Sequence, residues 1–349
     1  TSARIGSNLP NPDSPASGLL GGIGQAPGQG RLLDPRFGTG TVLASNKGPG
    51  TTVLVQNGGV RWLNFRAGPL RFWGGWALIA VLGLLALFLL IRGRVRIKAG
   101  RSGIRIPRFA PIERFAHWLL AGSFVLLGIT GLISLYGRVG LIPVMGRELF
   151  SILAIGSKWV HDFTSWAFMV GLLMVFVMWV ARNIPNRADL TWLARGGGIF
   201  SKNTHAPARK FNAGQKIVFW GVVILGVSIS LSGLSMLFPF QMPLFAKTFG
   251  IINDLGLPGL FGADPLNTAL APQEEMQLSQ TWHAIVAFAF LCLIFAHIYI
   301  GTVGMEGAFE AMGEGDVDLN WAREHHDLWV AELEAERKLP PAGASTPAE

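Results

Sequence analysis

Residues 281–303, TWHAIVAFAFLCLIFAHIYIGTV, contain no Asp, Glu, Lys or Arg across 23 positions. A helix needs about 20 apolar residues, at 1.5 Å each, to cross the hydrocarbon core of a bilayer. Yet His283 and His297 stand inside this run, fourteen residues apart. Fourteen residues are close to four turns, so both imidazoles fall on nearly the same helix face, about 21 Å apart along the axis. A polar ring within lipid is costly unless it faces a bundle interior and finds a partner. Two rings on one face, at two depths, predict two buried sites stacked across a membrane.

The rest of the composition agrees with a membrane chain. Of 349 residues 50% are hydrophobic and 14% charged, and the mean hydropathy is +0.41. Soluble domains carry about 25% charged residues. The net charge of +8 would suit nucleic acid, but the basic residues flank apolar runs, so they are read as topology signals and no nucleic-acid partner is expected. The single cysteine, Cys292, sits in mid-span. It excludes a disulfide framework and a Cys-ligated iron–sulfur cluster, and is read as packing. The twelve Trp lie mostly near span ends, where amphipathic rings anchor at the interface.

Hydropathy predicts five spans: Phe72–Ile91, then about Arg114–Tyr136, Trp159–Ala181, Gly214–Phe238 and the 281–303 run. The organisation expected is a Gly/Pro-rich extension over 1–71, an additional transmembrane helix over 72–91 and a basic linker over 92–113. A four-helix bundle over 114–303 and a polar tail over 304–349 follow. Residues 1–70 suggest short strands, as in GTTVLVQNGGVRWLNF, in an extension that orders against a partner; a disordered tail is the equal alternative. The first residue, Thr1, would fit a removed export signal. The tail sequence DLNWAREHHDLWVAELEAERK predicts a surface helix, with His325 and His326 exposed. His205, in a basic loop, is expected in solvent.

Lys and Arg set orientation. Eight precede or open the second span, counted from Arg92 to Arg114, and seven lie between Arg182 and Lys216. Arg138, Arg147 and Lys158 separate spans two and three, and only Lys247 separates four and five. The two dense segments are therefore expected in the cytoplasm, with the N-terminus periplasmic and the C-terminus cytoplasmic. Arg61, Arg66 and Arg71 oppose this, but are outnumbered by the block after Ile91.

Chain direction then assigns depths. His117 falls near the inner end of span two, His161 near the outer end of span three, His283 outside and His297 inside. The histidines sort into an inner pair, His117 with His297, and an outer pair, His161 with His283. Each site receives two imidazoles from different helices, which is what six-coordinate haem iron takes. A lone membrane histidine would read as a helix–helix hydrogen bond or a proton relay; four in two height-matched pairs favour ligation. Zinc is disfavoured, because two imidazoles leave its shell unfilled. Gly122, Gly128, Gly131 and Gly171 are expected to let a flat macrocycle approach the backbone. Asp162 is read as a solvated carboxylate at the outer interface rather than a partner of His161.

The segments ERFAHW (113–118), NIPNRADLTWL (183–193), KFNAGQK (210–216), the His283–His297 spacing and NWAREHH (320–326) together resemble the gamma subunit of respiratory formate dehydrogenase, a dihaem cytochrome b. The resemblance covers about 105–335. It implies two haems b, pairing His117 with His297 and His161 with His283. It also implies a quinone site by the inner haem, lined by Asn212 and Gly214. The implied partners are an iron–sulfur beta subunit and a molybdenum or tungsten catalytic alpha subunit in the bacterial inner membrane, in an assembly open to higher oligomerisation. The first span and the long 241–280 segment depart from the compact four-span pattern.

NAGQ also has a reading of its own. Asn212 could bond a quinone carbonyl and Gly214 would leave room for a ring, or Asn212 could simply cap the helix that follows. Lys216 is expected to snorkel to the headgroups. The fold expected is all-α and integral to the membrane: a four-helix haem-binding bundle plus one N-terminal transmembrane helix. The function expected is electron transfer from a periplasmic iron–sulfur subunit, through two haems, to membrane quinone at the cytoplasmic side. No formate-oxidising or other catalytic residue is assigned to this chain. Two alternatives stay open: a cytochrome b subunit of a hydrogenase or sulfur-compound reductase, and a non-redox transporter or scaffold.

Overall fold

A computed structural model describes residues 59–198, 206–336 and 338–339. The fold is an all-α membrane bundle with, among the described residues, five helical runs long and apolar enough to cross a bilayer. The first is the 34-residue stretch Gly59–Arg92, built from α1 (Gly59–Phe65), a π-helical turn (Arg66–Leu70) and α2 (Arg71–Arg92). Pro69 lies in the π turn, where the widened register accommodates its missing N–H. The strand expected over Val60–Phe65 is thus a helix. Its Trp, Leu and Phe extend the apolar run of the span that follows, and that continuity outweighs the Asn and Gly around them. Residues 1–58, the rest of the expected extension, lie outside the described residues, as do His205 and the Pro-rich end of the tail.

The remaining spans are α3 (Pro111–Gly140), α4 (Ile142–Trp179), α6 (Ala213–Leu237) and α9 (Pro272–Tyr299). A short α5 (Arg187–Ala194) lies between α4 and α6. α3 opens with Pro111 at its first turn, and Glu113 Oε2 accepts from the Ala110 N–H at 2.8 Å. α4 is broken near its start at Gly146, whose φ of 80° is open only to glycine at low cost. α9 ends in a π-helical turn, Ile300–Gly304.

The chain divides into two units. In the unit holding residues 235–281, the expanded segment forms α7 (Leu244–Asp254) and α8 (Leu257–Leu260). The Glu275 carboxylate accepts from the Phe245 and Ala246 N–H groups at 2.8 and 2.6 Å, so the first turn of α9 caps α7. Ser279 and Ser235 hydroxyls bond at 3.0 Å.

The larger unit, Trp73–Leu234 with 282 onward, carries the bundle interior. Ala116, Leu120, Phe168, Leu172, Val175, Phe219, Val222 and Phe290 are buried together. Gly171 lets α4 meet α3 closely: a Cβ there would stand 2.9 Å from the Leu120 backbone nitrogen. Its smallness therefore serves helix packing rather than a cofactor. Large apolar side chains such as Ile79, Leu84, Leu90 and Ile152 point outward and are more than half exposed, as lipid-facing positions are.

Outside the spans, residues 93–109 and 305–336 form one layer. β1 (Arg105–Pro107) pairs antiparallel with β2 (Asp316–Asp318), Ile106 opposite Val317. α10 (Glu310–Gly313), α11 (Leu319–His325) and α12 (Asp327–Ala335) complete it. Acidic residues of the tail order the basic linker. Asp318 accepts from Ser102 N and Gly103 N, and Glu324 accepts from Lys98 N and Ala99 N, all within 3.1 Å. The tail is therefore not a single surface helix. It breaks at His326, and Trp321, Ala322, Trp329 and Val330 are buried in the same core as Phe109 and Trp179.

Candidate functional site

The interior of the larger unit brings the four intramembrane histidines into two pairs. His117 on α3 faces His297 on α9, with ring centres 6.2 Å apart and planes inclined by 68°. His161 on α4 faces His283 on α9, again at 6.2 Å, inclined by 59°. Two metal–nitrogen bonds of about 2 Å each, with about 1.1 Å from ring centre to nitrogen on either side, span about 6.2 Å. The rings stand too far apart for a direct hydrogen bond and at the separation at which two imidazoles hold one iron.

Their surroundings differ. His161 Nδ1 lies 2.8 Å from Thr130 Oγ1, and His283 Nδ1 lies 3.0 Å from Ser232 Oγ. His117 Nδ1 is buried without a hydrogen-bond partner. Two expected glycines sort apart from the rest: Gly131 borders His161, and Gly128 borders Leu291. Gly122 has open space where a Cβ would point. Asp162 forms an ion pair with Lys158 rather than bonding His161.

Among the described residues no group of three or more His, Cys, Asp or Glu gathers, so neither pair fills a tetrahedral zinc shell. A flat group that supplies four equatorial donors and takes an imidazole on each face fits both pairs. The fit rests on the ring spacing of both pairs and, at His161 and His283, on Nδ1 engagement that leaves Nε2 for a metal.

Asn212 and Gly214 sit at the entry to α6. Asn212 Oδ1 accepts from Gln215 N at 2.8 Å, and Gln215 Oε1 accepts from Asn212 N at 3.0 Å, a reciprocal cap of the helix start. Gly214 lies under Trp192: a Cβ there would stand 2.8 Å from the ring. Lys216 does not reach the headgroups. It is 4% exposed and bonds Asp189 Oδ2 at 2.8 Å and the Ile184 carbonyl at 3.1 Å. Asp189 also closes the N-cap of α5, accepting from Asn186 N at 2.6 Å. A buried carboxylate with those donors draws the ammonium inward more strongly than lipid headgroups draw it out. Nearby, Glu113 Oε1 accepts from Trp179 Nε1 at 2.8 Å and stands 3.9 Å from Lys210 Nζ. Burial lowers the pKa of Lys210, and Glu113 partly offsets that.

His326, expected at the surface, is 1% exposed. Its Nδ1–H donates to the Arg209 carbonyl at 2.7 Å, and Nε2 accepts from Arg108 Nη2 at 3.1 Å. Arg108 is itself buried, stacked within 5.4 Å of the ring centres of Phe109, Trp321 and Trp329, and its Nη2 bonds the Lys210 carbonyl at 2.5 Å. Burial pulls the Arg108 pKa down to about 9. The helix break at His326 turns this ring inward, which a continuous-helix reading of the tail misses.

Residues 108–315 match the family model described as prokaryotic cytochrome b561. The cytochrome b556(Fdn) subunit of the nitrate-inducible formate dehydrogenase of Escherichia coli K12 is 27% identical over 237 residues, 66% of this chain and 92% of the relative. The formate dehydrogenase cytochrome b556 subunit of Haemophilus influenzae is 24% identical over 231 residues, 65% of this chain and 83% of the relative. The putative cytochrome YdhU of Escherichia coli K12 is 27% identical over 267 residues, 70% of this chain and 90% of the relative. The match spans α3, α4, α6 and α9 with all four paired histidines, and on it the chain belongs to the prokaryotic cytochrome b561 family of haem b-binding, multi-pass membrane proteins.

Proposed function

We propose that this chain is the membrane-anchoring cytochrome b subunit of a formate dehydrogenase complex of the bacterial inner membrane. It receives electrons from an iron–sulfur subunit on the periplasmic side and delivers them through two haems b to quinone on the cytoplasmic side. The observation that carries the reading is the pair of equal imidazole separations, 6.2 Å at both levels, contributed by residues fourteen apart on α9. When bound, haem b supplies reversible one-electron transfer. His117 with His297, and His161 with His283, would hold the two groups, and the apolar walls of α3, α4, α6 and α9 would keep water from them. The relatives named as formate dehydrogenase cytochrome subunits support the choice of complex.

At the proposed quinone site, capping occupies the Asn212 carbonyl oxygen, so its amide N–H remains to donate to a quinone carbonyl. Gly214, without a side chain, lets the Trp192 ring pack against the helix start beside this amide. Lys210 and Glu113, next to this helix start, would pass protons from the cytoplasm. A second reading, a cytochrome b subunit of a hydrogenase or sulfur-compound reductase, stays open because one relative, YdhU, is named only as a putative cytochrome.

The test is the haem content of His117→Ala, His297→Ala, His161→Ala and His283→Ala. The expected result is two classes, each losing one haem of two, with formate reducing the remaining cytochrome only when the iron–sulfur and catalytic subunits co-purify. Four variants with unchanged spectra would overturn the ligand assignment. Reduction by hydrogen or a sulfur compound, and not by formate, would favour the second reading.

A further inference from the structure

We infer that Thr130 and Ser232 are positioning residues that fix the tautomer of His161 and His283 and lower the redox potential at that level of the bundle. The inference rests on the proposed ligation by these two histidines. Each hydroxyl comes from a helix other than that of the imidazole it meets: α3 to α4 for Thr130, α6 to α9 for Ser232. Four helices therefore converge on one pair of rings, two through histidine and two through a hydroxyl.

The direction of both hydrogen bonds follows from the proposed ligation: a neutral imidazole that gives its Nε2 lone pair to iron carries its proton on Nδ1 and donates from there. A hydroxyl has one hydrogen to give. Thr130 Oγ1 lies 2.8 Å from the Leu126 carbonyl and 3.1 Å from that of Leu127. Ser232 Oγ lies 3.0 Å from the Ile229 carbonyl and 3.1 Å from that of Ser228. Each hydroxyl hydrogen has a carbonyl of the preceding helical turn to point to, which leaves the oxygen open to accept from the ring. The proton of each imidazole sits on Nδ1, and the Nε2 lone pair is left for iron. Donation from Nδ1 makes the ring a stronger base and so favours the oxidised metal.

A second feature accompanies each hydroxyl. The sequence reads Thr130-Gly131-Leu132 on α3 and Ser232-Gly233-Leu234 on α6. A Cβ at Gly131 would stand 3.7 Å from His161 Cε1, and one at Gly233 would stand 3.5 Å from His283 Cε1. Cε1 lies between the two ring nitrogens, so each glycine borders the ring beside the hydroxyl that meets Nδ1, where a side chain larger than Ala would crowd it. Ser230 serves as an internal comparison: it bonds back to Gly226 O at 2.7 Å and meets no imidazole.

Thr130→Val, Ser232→Ala and Ser230→Ala, made in the full chain purified with its haem, test the idea by redox titration and haem count. Thr130→Val and Ser232→Ala are expected to keep two haems per chain and to raise the midpoint of one. Held at the wild-type midpoint, the reduced-to-oxidised ratio of that haem should rise about tenfold, equivalent to about 59 mV for one electron. Thr130→Ser should restore the wild-type value, and Ser230→Ala should not move it. Loss of that haem in Thr130→Val with recovery in Thr130→Ser would equally support a positioning role. Unmoved midpoints in both variants, or a shift confined to the other haem, would overturn it. His161→Ala and His283→Ala keeping both haems would instead defeat the ligation on which the idea rests.

Discussion

The two histidine pairs share one separation, 6.2 Å, and differ in what holds them. His161 and His283 are tied at Nδ1 by hydroxyls from neighbouring spans. His117 has no such tie; its buried Nδ1 is unpartnered, and its ring meets the edge of Trp118 at 5.1 Å. What steadies α3 at this level is the layer outside the spans, where Trp118 Nε1 donates to the Met312 carbonyl at 2.9 Å and Arg114 bonds the Gly313 carbonyl. The same pair of imidazoles is thus held by side chains of the spans at one level and by the extramembrane layer at the other. On the proposed ligation, the imidazoles would hold the iron and their surroundings would set how firmly it is held and which oxidation state is favoured.

The largest effect should come from crowding one level. Gly233→Ala adds a carbon at ordinary contact distance and should be tolerated. Gly233→Leu drives a branched side chain over His283, and overpacked cores rarely absorb this. We expect the haem at His161–His283 to be lost and the other retained, read from the haem-to-protein ratio. Loss of both would mean that the levels are not independent, and the comparison would break.

Next in size is the Lys216–Asp189 pair, which belongs to the other end. Asp189→Ala leaves a buried ammonium uncompensated, at a cost of about 3–5 kcal/mol. Thermal denaturation in detergent should show that loss, with the His117–His297 haem released first. Replacing both members, Lys216→Met with Asp189→Leu, should recover most of the stability, because the desolvated charge is gone.

Much of this arrangement was legible in the sequence. Uncharged runs gave the spans, and alternating chain direction gave His117 with His297 and His161 with His283. Helix rise converts sequence position into depth, so no long-range information was needed. Thr130 and Ser232 were missed because a hydroxyl on a span usually bonds its own helix and leaves no trace in hydropathy. The signal that could have found them is the repeated hydroxyl–Gly–Leu triplet on two spans. Lys216 was misread because Asp189, its partner, lies 27 residues away. The tail was misread for a similar reason: burial of Trp321, Trp329 and His326 depends on strand pairing with residues 105–107, some 200 positions earlier.

His326 gives a smaller effect, set by pH. Burial holds its pKa well below the ordinary 6.5, with Arg108 and His325 pushing the same way and the bond to Arg209 O opposing. The unfolded chain therefore binds a proton below about pH 6.5 that the folded chain refuses. Stability contributed by the neutral ring is intact above 6.5 and falls with decreasing pH by up to about 1.4 kcal/mol per unit. Denaturation midpoints between pH 7.5 and 5.5 should show this slope, and His326→Gln should flatten it. The His161–His283 level, held from within the spans, should keep its spectrum over the same range.

The smallest effect isolates the contact that joins the layer to α3. Trp118→Phe removes the indole N–H that reaches the Met312 carbonyl and keeps most of the ring against Phe309, whose centre lies 6.2 Å away. The bond is exposed, so its net worth sits near the low end of the usual range, about 0.5 kcal/mol. Global stability should hardly register the change. The midpoint of the His117–His297 haem is the sensitive readout, because a ring without a tether at Nδ1 is oriented only by its helix and its neighbours. A shift at that haem alone would sharpen the contrast between the levels. A shift at His161–His283 alone would show the layer acting through the whole bundle, and the division of labour between hydroxyls and layer would have to be abandoned.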